Sequence, residues 1–105
     1  MIGASAGWPI VIAPVSDLAG LAIAEGIEDT LTLHHATGLG AWAAGAANRL
    51  PKLANVVPAY VEAVTIAVDD DAAGRHGSIE LAQALEVRGM EIILLEPLAK
   101  RRATV

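Results

Sequence analysis

Two strand-length runs that stop at acids constrain this chain more than any other feature. Leu21-Ala22-Ile23-Ala24 is apolar throughout and stops at Glu25-Gly26. Val61 to Val68 is rich in β-branched residues and stops at Asp69-Asp70-Asp71. A short continuous apolar run fits a strand buried on both faces, as in parallel sheets covered by helices. Segments of helical spacing follow both runs. Ile27 to Thr37 has Glu28-Asp29 in its first turn, where the helix dipole favours acids. Gly74 to Arg88 places Ile79, Leu81, Ala82, Leu85 and Val87 on its expected apolar side.

The remaining segments fit the same alternation. Pro9 to Val15 is β-prone but flanked by prolines, which cannot donate to a ladder, so an edge strand or hairpin arm is expected. Ser16 to Gly20 reads as a turn, and Gly38 as the residue ending the first helix. Gly40 to Ala43 reads as a strand, Gly45 to Asn48 as a turn, and Arg49 to Val57 as a short or irregular helix broken by Pro51 and Pro58. Gly89 closes the second helix, Glu91 to Leu95 is a last strand, and Pro97 ends it. Repeated β-α units predict an α/β fold: a Rossmann-like, open, mostly parallel sheet of about four core strands, helices on both faces, plus an N-terminal edge strand. Residues 1–17 are expected to form that edge strand and the remnant of an upstream region, 18–98 the domain proper, and 99–105 a basic tail carrying Lys100-Arg101-Arg102. A fragment of a longer polypeptide is the expected context.

Composition narrows the function. At 105 residues there is room for one domain. Apolar residues make up 54% of it with no Phe, so the core must pack small and branched side chains closely. A net charge of −5 argues against tight unaided binding to nucleic acid, which usually needs a basic face. It suits a metal site, because Mg²⁺ takes oxygen ligands. The absence of cysteine excludes disulfides, zinc-thiolate sites and Cys nucleophiles, and a reducing cytoplasm is the expected compartment. No run approaches the ~20 apolar residues that span a bilayer, so no membrane association is expected.

In open parallel sheets ligands bind beyond the carboxyl ends of the strands. Both acidic clusters fall there. If their strands are neighbours, Glu25 and Asp69 face each other across one crevice. Residues two apart in extended chain point the same way, so Asp69 and Asp71 converge while Asp70 points aside. Without a metal such carboxylates repel, and some carry raised pKa values. The plainer reading is that Asp71 simply caps the following helix. Two clusters, each at the end of a buried strand and each followed by glycine and a helix, favour the metal.

Glu25-Gly26-Ile27-Glu28-Asp29 after one strand, with Asp69-Asp70-Asp71-Ala72-Ala73-Gly74-Arg75 after a later one, resembles the Toprim domains of primases, topoisomerases, OLD-type nucleases and recombination mediators. Glu-Gly-x-x-Asp and Asp-x-Asp-x-Ala-Gly are similar to the primase form. Thr37-Gly38-Leu39-Gly40-Ala41-Trp42-Ala43 resembles the phage and plasmid primase–helicase subgroup. The resemblance spans about Leu18 to Pro97. It implies that Glu25 is a general acid/base or metal ligand, that Asp69 and Asp71 are metal ligands, and that Asp29 holds a second metal or orients the first. It implies Mg²⁺, with Mn²⁺ able to substitute. It further implies phosphate contacts near Gly26, Gly74, Arg75 and His76. The partners would be DNA, RNA or nucleotide phosphates together with the flanking domains of a larger protein.

Other residues carry weaker signals. His34-His35 are expected mid-helix at the surface, Tyr60 in packing, and Trp42 as a core or rim anchor. Arg49 and Lys52 could reach a phosphate across the crevice. Two rival enzymes or switches share acids at strand ends. A receiver domain carries its paired acids after the first strand, the reverse of this order. An Asp-x-Asp phosphatase needs a Thr soon after the nucleophile, where this chain has Ala72-Ala73. A degenerate Toprim module that only positions DNA or protein is the non-enzymatic alternative.

Overall fold

The computed structural model describes residues 8–15 and 20–95. Strand β1 (Ile10–Ala13) is followed by β2 (Gly20–Ala24), helix α1 (Ile27–Thr37) and β3 (Gly40–Ala43). Two 3₁₀ segments, Ala47–Arg49 and Pro51–Asn55, lead to β4 (Ala63–Ala67), helix α2 (Ala72–Val87) and β5 (Glu91–Leu95). The strands form one sheet in the order β1-β3-β2-β4-β5. The four strands β3, β2, β4 and β5 are mutually parallel, and only β1 runs antiparallel, on the edge beside β3. This is the expected α/β architecture, with the edge strand where its prolines required it.

The order of the strands places the crevice. From β2 the chain crosses through α1 to β3 on one side, then returns past β2 to β4 on the other side. The direction of winding therefore reverses between β2 and β4, which opens a gap beyond their carboxyl ends.

The two sheet faces are packed differently, following the two-residue period of the strands. Leu21, Ile23, Trp42, Val64 and Ile66 point to the face covered by Leu50, Leu53, Leu81 and Leu85, from the 3₁₀ region and α2. Ala22, Ala24 and Ala41 point to the opposite face with Ala13 of β1 beside them, and Leu33 of α1 packs there. Each fully buried Leu or Ile of the larger face contributes roughly 1.5–3 kcal/mol. β2 is buried along its whole length, as a central strand must be.

Several local expectations change. β4 is shorter than Val61 to Val68, although Val61 and Val68 stay buried beyond its ends. α2 starts at Ala72, two residues before Gly74, because Asp71 caps it there. The irregular helix expected over Arg49 to Val57 is a 3₁₀ segment beginning at Pro51, whose missing N–H suits a first position, and the turn expected over Gly45 to Asn48 runs into another, Ala47–Arg49. The buried face of α1 is Thr30 and Leu33, with Ile27 and Leu31 exposed. Its contact surface is alanine, so a narrow stripe suffices. In α2 the buried stripe is Gly74, Gly77, Ser78, Leu81, Ala82 and Leu85, at helical spacing. Ile79 and Val87 fall off that stripe and are exposed. His34 and His35 stand in the last turn of α1, not its middle, and His34 Nδ1 lies 2.7 Å from the Leu39 carbonyl oxygen. Tyr60 is exposed and not packed, while Trp42 is a core residue. Of the turn expected over Ser16 to Gly20, residues 16–19 lie outside the described residues, as does the basic tail, while Gly20 is the first residue of β2. No helix among the described residues is long and apolar enough to cross a membrane.

Candidate metal centre

β2 and β4 are hydrogen-bonded neighbours, with Ile23 opposite Ile66. Glu25 and Asp69 therefore leave the sheet side by side. Backbone bonds beyond the strands fix this exit. Ala44 donates to the Ala24 carbonyl at 2.9 Å and Gly45 to the Glu25 carbonyl at 2.9 Å, so the β2–β3 pairing continues through Glu25. On the other side Val68 donates to the Leu95 carbonyl at 2.9 Å.

Gly26 turns the chain into α1. Its carbonyl accepts the Thr30 N–H at 3.2 Å and the Thr30 hydroxyl at 2.7 Å. Thr30 is fully buried, so this pin is sheltered from water. Neither Thr30 nor Gly45 stood out in the sequence. A polar side chain four residues after Gly26, in the first turn of a helix, was the available signal for Thr30.

One ligand oxygen from each of Glu25, Asp69 and Asp71 lies within 4.8 Å of the others. Asp70 turns away and pairs with Arg75 at 3.6 Å, in the open. Asp71 has two roles. One of its oxygens accepts the Gly74 N–H at 2.6 Å and caps α2, and it also belongs to the carboxylate cluster. The capping reading and the metal reading are therefore compatible.

Glu25 carries the electrostatic cost of the cluster. Its Oε1 is buried, and with both carboxyls ionised it has no donor partner among the described residues. The carboxyl is raised from the ordinary 4.5 to about 7, first by a hydrogen bond to Asp69 that requires a shared proton. Desolvation comes next, then the charges of Asp69, Asp71 and Asp29. A buried carboxylate oxygen facing other carboxylates needs either a proton or a cation between them. The three acids thus fit a hard divalent ion by donor chemistry and by the unmet demand of Glu25 Oε1.

The profile of the Toprim domain matches residues 20–103. The chain belongs to the Toprim family. That match covers both acidic motifs and every core strand, and the module it describes binds divalent metal in primases, nucleases and topoisomerases. No curated protein and no solved structure gave a match.

The other motif residues of this Toprim domain are not part of that group of three. Asp29 contributes no oxygen to it, but its charge is felt at Glu25. It lines a cavity of about 430 Å³ with Ile10, Glu25, Gly26, Ile27, Glu28 and Gly45. Gly26 is exposed on the rim. His76 pairs with Glu80 at 3.1 Å, one turn along α2. Gly74 is buried, and its N–H is committed to Asp71.

Proposed function

We propose that this Toprim domain holds Mg²⁺, or Mn²⁺ in its place, on Glu25, Asp69 and Asp71. It would use the ion to act on nucleic-acid phosphodiesters or nucleotides by primase-like phosphoryl transfer, as part of a larger DNA replication protein. The convergence of those three carboxylates at the switch point of the sheet is the observation that carries this reading. The ion, when bound, supplies charge neutralisation at phosphoryl oxygens.

The chain's own groups do the rest. Without an ion the Glu25 carboxyl, raised to about 7 by Asp69, burial and the neighbouring charges, holds a proton near neutral pH, and it would give that proton up as the ion binds. Asp71 is oriented by the Gly74 N–H. Asp29, whose charge acts on Glu25, would orient a first ion or hold a second. Gly26 and Arg75 would serve as phosphate contacts, with His76 one residue further along α2. Arg75 is held in reserve by Asp70 in an exposed pair that yields readily to a phosphate. With a net charge of −5, affinity for the nucleic acid falls to flanking domains.

The test is metal-dependent engagement of short DNA and RNA oligonucleotides, followed by amide shifts in Mg²⁺ and in EDTA. The reading expects perturbations at Gly26 and at residues 69–75 that need Mg²⁺ and vanish in Asp69→Asn. Equal perturbations in EDTA would reject the metal-bridged mode. Metal and oligonucleotide binding in a full-length parent that shows no primer synthesis, cleavage or strand passage would leave a positioning module.

A further inference from the structure

We propose that Gly74 is a positioning residue, whose missing side chain is the space in which the three carboxylates converge. This rests on the metal-site reading above and adds a residue that ligates nothing. A Cβ built on Gly74 would lie 2.5 Å from Asp69 Cβ, 3.0 Å from Asp71 Oδ1 and 3.3 Å from Glu25 Oε1. One absent methyl group thus borders all three members of the cluster.

The tightest of these contacts decides the argument. Carbon atoms in contact sit about 3.5–4.0 Å apart, so a methyl at position 74 demands roughly 1 Å of movement from Asp69. Asp69 Cβ is one bond from the backbone, and no rotamer change can withdraw it. The movement must separate the start of α2 from the end of β4, and that separation spreads the ligands. Metal coordination tolerates only about 0.2 Å in distance.

Gly74 also lies within α2, where glycine is a poor helix former and alanine the best. Helix formation alone therefore favours Ala at this position. Glycine here is a local cost that the helix does not require and the carboxylates do. The Asp71 Oδ1 that accepts the Gly74 N–H is itself one of the crowded atoms, so carboxyl resonances and metal affinity, not melting alone, report on the space at position 74.

The experiment compares wild type with Gly74→Ala by thermal melting, by side-chain carboxyl ¹³C shifts in EDTA, and by Mg²⁺ and Mn²⁺ titration. The proposal expects a folded variant, displaced carboxyl resonances at Glu25, Asp69 and Asp71 without metal, and metal affinity weaker by at least about tenfold. Unchanged carboxyl resonances would overturn it, and so would metal affinity within twofold of a wild type that binds. Failure of the variant to fold would also overturn it, by placing the need for glycine in the fold. If wild type itself binds no metal, the functional reading falls, while the metal-free resonances still decide whether Gly74 sets the carboxylates.

Discussion

Glu25 and Asp69 leave neighbouring parallel strands at the same end of the sheet, and their carboxyl oxygens come within 4.8 Å. Two acids so placed cannot both ionise at no cost, and the chain meets that cost at Glu25.

The first consequence is a pH dependence. Glu25 titrates near 7 in the folded chain, against an ordinary carboxyl value of 4.5. Between those values the folded state binds more protons than the unfolded state, so stability falls as pH rises through the window. The contribution of Glu25 is full below pH 4.5 and gone above about 7. Urea midpoints measured in EDTA should decline across this range, and Glu25→Gln, which cannot ionise, should remove that part of the decline. A variant with the same slope as wild type would contradict the assignment to Glu25.

Asp71 allows its two roles to be separated. Asp71→Ala removes the cap on the Gly74 N–H and should cost about 1 kcal/mol, together with metal affinity. Asn caps as well as Asp, so Asp71→Asn should keep most of the stability and still lose metal affinity. Melting curves set beside metal titrations test this. Equal destabilisation by Asn and Ala would show that the cap does not matter.

The site was legible in the sequence because its signals are local. Acids directly after β-rich runs, and Asp at alternate positions, follow from strand geometry alone. The parallel sheet was legible for the same reason. The faces of the helices were not. Ile27 and Leu31 have helical spacing, yet the buried stripe is Thr30 and Leu33, because α1 rests on Ala22, Ala24 and Ala41 of the sheet. Val87 continues an apolar series but falls off the stripe set by Leu81 and Leu85. Which side of a helix meets the sheet depends on the partner surface, and single-chain periodicity does not contain that.

Gly77 should invert the usual rule for glycine in helices. Gly→Ala normally gains about 1 kcal/mol in a helix interior. A Cβ on Gly77 would lie 2.5 Å from the Ala47 carbonyl oxygen and 3.3 Å from Leu50 Cδ1. Overpacking of that kind costs roughly 1–3 kcal/mol. Gly77→Ala should therefore lower the urea midpoint, and a raised midpoint would show that the 3₁₀ segment yields freely.

Ser78 should respond in the opposite sense. Its hydroxyl oxygen is buried without a partner among the described residues, in a side chain with no exposure. Ser78→Ala removes a desolvated hydroxyl and improves helix propensity, for a gain on the order of 1 kcal/mol. Thermal melting at fixed pH reads it directly. A loss of stability would mean that the hydroxyl has a donor or acceptor it depends on.

Glu25, Asp69 and Asp71 converge as one candidate divalent-metal site. A Mg²⁺ and Mn²⁺ titration of the folded domain by NMR tests it most directly, beside Glu25→Gln and Asp69→Asn. A site on these three acids requires saturable shifts at Glu25, Gly26 and residues 69–74 and Mn²⁺ broadening centred on them, both lost in the two variants while each stays folded. A wild type that shows no site-specific response at millimolar metal, or variants that respond as wild type does, would contradict it.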